Sequence, residues 1–387
     1  MGRQDSGVSE ATGAVDQEQR PFADATVAVI GVGLMGGSMG MAALTRVGVR
    51  RVVGYGEDES ALQTALELGA ITEPASSLQN ACAQADIVFV ATPVRLIPVH
   101  VREALAAAPT HAIVTDVGST KGTLMEALSR EQQRRFVGGH PLCGSETAGV
   151  ANAKATLYHG ATYFLTPGIH TETDAVQTLF AFLTEVGARP VAVDPFEHDR
   201  LMALLSHLPH IIANTLMAQA GEHEGARDAL ISAGPSFREM TRVAGANAHV
   251  WTDIFAENQT ALLSALREFR ARLEEVTAAL EGGDEARVQG SIQRASEHRA
   301  RMLANSSLAP SELYRLVVRV EDRPGVFRDV MVALGDAGIN IEDLSMHHES
   351  AELGGSLTLY VLGNEVSRRA ASVLADKGFE LIVGKVE

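Results

Sequence analysis

The chain has 387 residues, 46% hydrophobic and 21% charged, which is the balance of an ordinary soluble globular protein. This length exceeds what one hydrophobic core usually holds, so two or three domains are expected. A formal net charge of −16 disfavours nucleic acid or an anionic membrane surface as a partner. Cys82 and Cys143 form no CxxC motif or His/Cys ligand spacing, so neither a disulfide framework nor a metal site is indicated, and a cytoplasmic location fits.

The chain opens with a polar segment. Residues 1–24 are rich in Gly, Ser, Gln and Glu and lack the apolar core of a signal peptide, so they are predicted to form a disordered tail. No apolar run approaches the roughly 20 residues that span a bilayer, and we therefore expect no membrane association.

A dinucleotide-binding signature follows the tail. Four apolar, β-prone residues run into the motif GVGLMGGS, and apolar residues at helical spacing come after it, which predicts strand, turn and helix. Gly31 would permit the tight turn, Gly33 would let the backbone approach a pyrophosphate, and Gly36 would let the helix pack closely. Leu34 and Met35 begin the helix, whose free N–H groups would bind the phosphates.

From residue 25 to about residue 195 the pattern alternates between strands and helices. This alternation predicts a doubly wound parallel sheet of Rossmann type, with helices that include residues 61–68 and 96–107. The predicted strands are 27–30, 51–55, 87–91, 112–116, 136–138, 163–166 and 189–193.

The end of the second predicted strand bears on cofactor choice. An acidic residue here would bind the adenosine ribose and repel a 2′-phosphate, which favours NAD over NADP. Gly56 occupies the usual acidic position, so Glu57 or Asp58 would make the contact. Arg50 and Arg51 keep NADP open as an alternative.

Several polar segments should meet where the parallel strands end. Thr92 and Pro93 follow one strand, Ser119 follows the next within DVGSTKG, and His140 follows another within GGHPLCGSE. Ligands bind beyond the carboxyl ends of such strands, so a hydroxyl and an imidazole should face one crevice. The Gly- and Pro-rich surroundings of His140 predict a loop position in contact with a ligand.

After Pro195 the pattern becomes almost wholly helical, which predicts a second domain over residues 196–304. Long helical patterns cover residues 199–219, 251–280 and 288–303. The segment SHLPH is interpreted as a kink in a core helix, with His207 as an incidental core histidine.

Residues 305–311, NSSLAPS, are predicted to be a linker to a third domain over residues 312–387. That region has the order strand, helix, strand, strand, helix, strand, which is ferredoxin-like. The predicted elements are 313–320, 326–337, a strand opening at 338–341, 356–361, 367–377 and 380–386.

Residues from about 25 to 303 resemble the prephenate and arogenate dehydrogenases of tyrosine biosynthesis. The resemblance rests on GVGLMGGS, ATPV, DVGSTKG, GGHPLCGSE, HDRLMALLSHLPH and MTRVA followed by Trp251. It implies a homodimer built through the helical domain and an NAD-linked oxidation of prephenate to 4-hydroxyphenylpyruvate and CO2. The match leaves open arogenate as substrate, and a β-hydroxyacid dehydrogenase shares only the glycine motif.

The resemblance also assigns roles to residues. The catalytic histidine falls on His140 and the serine that orients it on Ser119, and the arginine that binds the ring carboxylate falls on Arg242. The remaining positions are implied to line or shape the substrate site, and these are Ser145, Asp199, His210 and Trp251.

The last domain resembles an ACT domain, a module that binds amino acids, through its DRPGV turn and GINI segment. The resemblance points to Asp322, Gly325, Val326 and Asn340 as effector-binding residues and to L-tyrosine as a feedback effector. A purely structural domain is the alternative, and a non-catalytic amino-acid sensor is an alternative for the whole chain.

Overall fold

A computed structural model describes residues 21–144, 147–223, 230, 232–305, 313–320, 326–341, 343–350 and 354–385. The chain divides into two compact units, Met1–Arg270 and Ala271–Glu387. This division falls inside a long helix and not at residues 305–311, the predicted linker, of which the structure describes only Asn305.

The first unit contains an eight-stranded sheet in the order β3-β2-β1-β4-β5-β6-β7-β8. Its strands are β1 (Thr26–Ile30), β2 (Arg51–Tyr55), β3 (Glu73–Pro74), β4 (Ile87–Val90), β5 (Ile113–Asp116), β6 (Phe136–Pro141), β7 (Thr162–Pro167) and β8 (Arg189–Ala192). The sequence predicted each of them except the two-residue β3.

The direction of β7 corrects the prediction of a wholly parallel sheet. β7 pairs antiparallel with β6, whereas the other neighbouring strands run parallel. No long helix crosses over between β6 and β7 in the described residues, so the chain returns along the sheet in the opposite direction. The pairing of His140 with Phe164 carries β6 past residue 138, its predicted end.

Helices cover the sheet on both faces. They are α1 (Leu34–Ala42), α2 (Glu59–Glu67), α3 (Leu78–Cys82), α4 (Ile97–Ala107), α5 (Gly122–Glu126), α6 (Arg130–Gln133) and α7 (Thr173–Val186). Alternate residues of β1 pack into two different hydrophobic cores, one on each face of the sheet. Val27 and Val29 belong to one core, and Ala28 and Ile30 belong to the other. Burial on both faces explains why this strand reads as a continuous apolar run.

The end of the predicted tail is ordered. Phe22 packs on the core, with its ring centroid 5.3 Å from that of Phe182 in an edge-to-face arrangement. The prediction of a disordered tail over residues 1–24 is therefore wrong at Phe22, because an aromatic side chain there finds an apolar partner. Residues 1–20 lie outside the described part of the chain.

A long interrupted helix begins the helical region: α8 (Pro195–Met202), a π-turn (Ala203–His207) and α9 (Leu208–Glu222). Pro209 lacks an N–H group and cannot continue a regular helical ladder, so the widened turn before it accommodates the proline. Among the described residues, Pro195–Glu222 is long and apolar enough to cross a membrane by length and composition. This 28-residue helix is longer than the sequence pattern led us to expect, since no apolar run was expected to approach about 20 residues.

The following helices are α10 (Pro235–Thr241), a 3₁₀ turn (Arg242–Gly245), α11 (Ala248–Glu257), α12 (Gln259–Glu281) and α13 (Glu285–Asn305). The helix predicted over residues 251–280 is divided at Asn258, whose backbone leaves helical geometry with φ −108° and ψ 28°. This break lets the Asn258 side chain turn inward, where it is buried and donates a hydrogen bond to the Asp199 carbonyl oxygen at 2.8 Å.

The second unit contains the predicted ferredoxin-like order. Its elements are β9 (Leu313–Val320), α14 (Val326–Asp336), β10 (Asp343–Ser350), β11 (Gly354–Leu362), α15 (Asn364–Asp376) and β12 (Leu381–Lys385). The antiparallel sheet has the order β10-β11-β9-β12, and both helices contribute to its core. The second strand does not open at 338–341, because Gly338 takes the left-handed conformation, with φ +64°, that ends α14.

Candidate active site

The glycine motif forms a turn whose geometry excludes side chains. Gly31 has φ +93°, and a Cβ there would lie 2.7 Å from the Ala91 carbonyl group. A Cβ on Gly36 would lie 2.1 Å from the Gly31 oxygen, so only glycine lets α1 pack this closely. A Cβ on Gly33 would meet nothing within 4 Å, which leaves space beside the backbone at the start of α1.

A cavity of ≈ 340 Å³ adjoins this turn. The predicted cofactor residues that line it are Gly31, Gly33, Glu57, Asp58, Thr92 and Pro93. Leu34, Met35 and Gly36 form the first turn of α1. Asp58 caps α2 by accepting from the backbone N–H groups of Ser60 and Ala61. The hydrogen bond from the Ser60 hydroxyl, and after it these two backbone bonds, lower the pKa of Asp58. One carboxylate oxygen of Asp58 thus belongs to the helix cap.

His140 lies near the end of β6 and is the first member of a hydrogen-bonded chain. Its Nδ1 is 2.8 Å from His198 Nε2, and His198 Nδ1 is 2.9 Å from Asp199 Oδ1. Asp199 accepts from the backbone N–H groups of Lys121 at 2.8 Å and Gly122 at 2.7 Å. His140 is only 9% exposed, so the predicted open-loop position is wrong: pairing with β7 and the cover of α8 bury the ring.

A buried ion pair supports the strand that carries His140. The Lys121 ammonium donates to the Asp116 carboxylate and, at 2.8 Å, to the carbonyl oxygen of Gly139. Asp116 also accepts from the backbone N–H groups of Gly118 at 2.9 Å and Gly139 at 3.0 Å. These bonds connect the end of β5 to the residue before His140 and fix its backbone.

A second histidine cluster lies beside the first: His207 ends the π-turn, His210 is on α9, and both face aromatic side chains of α11. His210 stacks on Trp251 with ring centroids 3.4 Å apart, and its buried Nδ1 has no hydrogen-bond partner. His207 contacts the edges of Trp251 and Phe255, and its Nδ1 is 3.2 Å from the Asn258 amide nitrogen. His207 is 1% exposed, so it is buried in the core as the sequence pattern predicted, and it also contacts the side chains around His210.

Burial controls the charge of all four rings. It lowers the pKa of His140 well below the usual histidine range, and nearby His198, Lys121 and His207 lower it further. Burial also lowers the pKa of His198, despite the opposing effect of Asp199, and lowers that of His207 to about 4. The pKa of His210 falls through burial and the positive charge of Arg242. The four imidazoles are therefore neutral at pH 7.

These pKa shifts predict the acid limb of the activity profile. A protonated His140 could not serve as the base that the sequence resemblance implies, so kcat/KM for prephenate oxidation should fall as pH drops through the His140 pKa. Because that pKa is lowered, kcat/KM should stay flat down to about pH 6.5, the unperturbed value, and decline only below it. Initial rates between pH 4.5 and about 8 would measure this, with circular dichroism at each pH to exclude unfolding. If kcat/KM instead began to fall at a pH above the usual histidine pKa range, His140 would not be the group that limits activity in acid.

The other predicted site residues are placed as follows. Ser119 lies half-buried in the loop after β5, and the hydrogen-bond partner of the His140 Nδ1 is His198. Arg242 begins the 3₁₀ turn after α10, close enough to His210 to affect its pKa. Both Asp199 oxygens bind protein donors, so Asp199 shapes the site from behind. Ser145 lies outside the described residues.

Of the predicted effector residues, Asp322 and Gly325 lie outside the described part of the chain. Val326 begins α14 and Asn340 follows its end. Eleven helical residues span about 16 Å, so one copy of the chain does not bring Val326 and Asn340 together.

Sequence reasoning missed His198 and the burial of Lys121. Both lie inside motifs that it had noted, HDRLMALLSHLPH and DVGSTKG. The adjacent His and Asp of the first motif, just inside a helix start, are the signal that could have suggested a hydrogen-bonded pair. Among the described residues, no group of three or more His, Cys, Asp or Glu side chains is arranged to hold a metal ion.

Comparison with known families accounts for this arrangement. Residues 41–192 match the nucleotide-binding domain of prephenate dehydrogenase, residues 194–294 match its dimerization domain, and residues 314–379 match the ACT domain. The chain belongs to the prephenate dehydrogenase family. The predicted resemblance and the three-part fold class are thus confirmed.

Individual relatives of this dehydrogenase agree. Prephenate dehydrogenase of Bacillus subtilis is 31% identical over 350 residues, 89% of this chain and 94% of that protein. Cyclohexadienyl dehydrogenase of Zymomonas mobilis is 32% identical over 262 residues, 67% of this chain and 89% of that one. Prephenate dehydrogenase of Aquifex aeolicus, solved with hydroxyphenyl propionate and NAD+, has a TM-score of 0.67 and 28% identity, covering 72% of this chain and 98% of its own.

A dinucleotide fits the site of this dehydrogenase. The turn at Gly31 and Gly33 leaves backbone N–H groups at the start of α1 open to a pyrophosphate, and the adjoining cavity extends to Glu57 after β2. Arogenate dehydrogenase of Synechocystis is similarly close in structure, with a TM-score of 0.65 and 28% identity over 72% of this chain and 99% of its own.

Proposed function

We propose that this enzyme oxidises and decarboxylates prephenate to 4-hydroxyphenylpyruvate and CO2, a step of tyrosine biosynthesis. The cofactor is NAD, which accepts the hydride when bound. The observation that carries the proposal is the buried, neutral His140 held by hydrogen bonds within a family of dehydrogenases. A neutral imidazole in a dry site is suited to accept one proton from a hydroxyl group.

The proposed chemistry follows from the substrate. The C4 hydrogen of prephenate leaves as hydride, and His140 takes the proton of the 4-hydroxyl through Nε2, the ring nitrogen that is not bonded to His198. The C1 carboxylate then departs as CO2, and its bonding electrons complete the aromatic ring. The resulting phenolate oxygen recovers the proton. General acid–base catalysis of this kind typically contributes about 10²–10⁴-fold in rate.

Charge explains the proposed role of Arg242. Prephenate carries two carboxylates, and a protein with a formal net charge of −16 repels them in general. A guanidinium presents a planar fork of donors that suits a carboxylate, and we assign the ring carboxylate to Arg242. The positive charge of Arg242 lowers the pKa of His210, which supports a position of Arg242 near the stacked His210 and Trp251 rings. Ser145 and His210 complete the proposed substrate contacts, and Ser119 keeps the role of orienting His140 that the resemblance implies.

We also propose a cytoplasmic homodimer. Residues 194–294 match the family's dimerization domain, and within them Phe196, Leu204 and Leu205 are 49%, 53% and 67% exposed. Phe196 and Leu204 also line a cavity of ≈ 790 Å³ beside α8. Contact with a second copy would bury these side chains. The apolar character of Pro195–Glu222 then reflects subunit contact, with no need for a membrane.

The ACT domain suggests regulation, and we propose L-tyrosine as a feedback inhibitor. Since Val326 and Asn340 lie at opposite ends of α14, an effector site using both would need two copies of the domain. A homodimer would supply the second copy.

The experiment is the initial rate of NAD reduction at several prephenate concentrations. Parallel arms replace prephenate by arogenate and NAD by NADP, and each is repeated with tyrosine. Turnover of prephenate with NAD, slowed by tyrosine, is the expected result. Turnover of arogenate alone would reassign the substrate, since arogenate differs from prephenate by an ammonium in place of a ketone. Tyrosine binding without any turnover would favour the amino-acid sensor.

A further inference from the structure

His198 has no role in the chemistry proposed above, yet its fully buried ring lies between His140 and Asp199. We propose that His198, held by Asp199, is a positioning residue that fixes His140 in the tautomer with hydrogen on Nδ1 and the lone pair on Nε2. The inference rests on the proposed function of His140 as the base. Only this tautomer can accept the substrate proton through the ring nitrogen that remains available.

The argument starts at the Asp199 carboxylate. Its Oδ1 accepts from the Lys121 backbone N–H at 2.8 Å, and its Oδ2 accepts from that of Gly122 at 2.7 Å. Backbone N–H groups only donate, so both oxygens must serve as acceptors. The Lys121 ammonium lies close enough to Asp199 for an attractive electrostatic interaction between the two groups.

The polarity of the next bond follows from this. Asp199 Oδ1 is 2.9 Å from His198 Nδ1, and an ionised carboxylate accepts, so His198 carries its hydrogen on Nδ1. In a neutral imidazole the other nitrogen is an acceptor. His198 Nε2 therefore presents a lone pair to His140.

The last bond sets the His140 tautomer. Its Nδ1 is 2.8 Å from His198 Nε2, and two lone pairs cannot meet at that distance, so His140 Nδ1 donates. The hydrogen of neutral His140 is thus on Nδ1, and Nε2 is left as a base.

Burial keeps both rings neutral, and it outweighs the two carboxylates near His198, which favour the protonated form of that ring. Lys121 and His207 approach His140, and Lys121, Asp116 and Asp199 approach His198. A doubly protonated His198 would donate through Nε2 and so reverse the direction of its hydrogen bond with His140 Nδ1. The buried ammonium of Lys121 opposes that second positive charge.

Two substitutions of His198 separate positioning from packing. The glutamine amide of His198→Gln reaches the position of the imidazole Nε2, so its oxygen can accept from His140 Nδ1 while the bond to Asp199 is lost. The shorter amide of His198→Asn reaches the position of Nδ1, so it can bond to Asp199 but not to His140.

We expect His198→Asn to lower kcat by about 10²-fold or more, because about 10²-fold is the lower end of what general base catalysis contributes and the base would be wrongly oriented. His198→Gln should retain kcat within about tenfold of the unsubstituted enzyme, because it preserves the acceptor for His140. The KM values for prephenate and NAD should change little in both variants, since His198 is fully buried behind His140. Equal losses of kcat in the two variants would overturn the proposal, because packing alone does not distinguish which end of the ring is replaced.

Nuclear magnetic resonance gives a direct test that needs no folded variant of His198. In the unsubstituted protein labelled with ¹⁵N-histidine, long-range ¹H–¹⁵N correlation spectra should show His140 protonated on Nδ1, with the signals assigned by their loss in His140→Asn. Hydrogen on Nε2 would overturn the proposal. Absence of turnover by the unsubstituted enzyme would instead remove the proposed function, and the spectra would still decide the tautomer.

Discussion

Replacing His140 by asparagine should lower kcat for prephenate oxidation by about 10²–10⁴-fold, the usual contribution of a general base. The asparagine amide can occupy the position of the imidazole Nδ1 and keep the contact with His198 Nε2. The substitution therefore removes Nε2, the nitrogen proposed to take the substrate proton, and little else. Initial rates at saturating prephenate and NAD measure the loss, and near-ultraviolet circular dichroism and urea unfolding check that the fold is intact.

A matched control is His111→Asn. His111 precedes β5, at the edge of the sheet opposite to the strand ends that carry the site, and its side chain is 67% exposed. This variant should retain the kcat of the unsubstituted enzyme. If His140→Asn also retained kcat to within a few-fold while remaining folded, another group would have to be the base, and Ser119 would be examined next.

Replacing Lys121 by methionine should destabilise the dinucleotide-binding domain by about 3–5 kcal/mol, the usual cost of removing one member of a buried ion pair. Methionine fills much of the volume but leaves the Asp116 carboxylate, which is fully buried, without its cation. The bond to the Gly139 carbonyl oxygen is also lost, so the backbone beside His140 loosens and kcat should fall. Urea unfolding followed by far-ultraviolet circular dichroism measures the free energy change.

Two further variants test the cause. The double variant Lys121→Met/Asp116→Asn removes both charges of this ion pair, so it should be less destabilised than the sum of the two single changes predicts. Arg134→Met removes an exposed ion pair with Glu172 and should scarcely change stability. If Lys121→Met lowered the free energy of unfolding as little as Arg134→Met does, the buried ion pair would contribute little to stability. That result would be expected if water entered and solvated Asp116.

Local patterns in the sequence were sufficient for most of the strands and for the glycine-rich turn that adjoins the cofactor cavity. The apolar run before Gly31, the helical spacing after Gly36 and the alternation along residues 313–320 each depend on neighbours in the chain, and the structure has the corresponding elements. The same is true of the βαββαβ order of the last domain. Such patterns show which face of an element is apolar, and that suffices for the element type and the class of fold.

Tertiary structure alone decided which elements meet and how they are oriented. Nothing local in residues 162–167 sets their antiparallel direction, which depends on the path of the connection from β6. The contact between His140 and His198 joins residues 58 positions apart and exists because the fold brings β6, which carries His140, close to α8, which carries His198. Nothing in the sequence distinguishes Lys121 from the other lysine and arginine residues, and only the folded structure buries it against Asp116. Motifs identified His140, but its partners and its charge state come from side chains distant in the chain, because hydrogen bonding and desolvation depend on surroundings that only the folded protein creates.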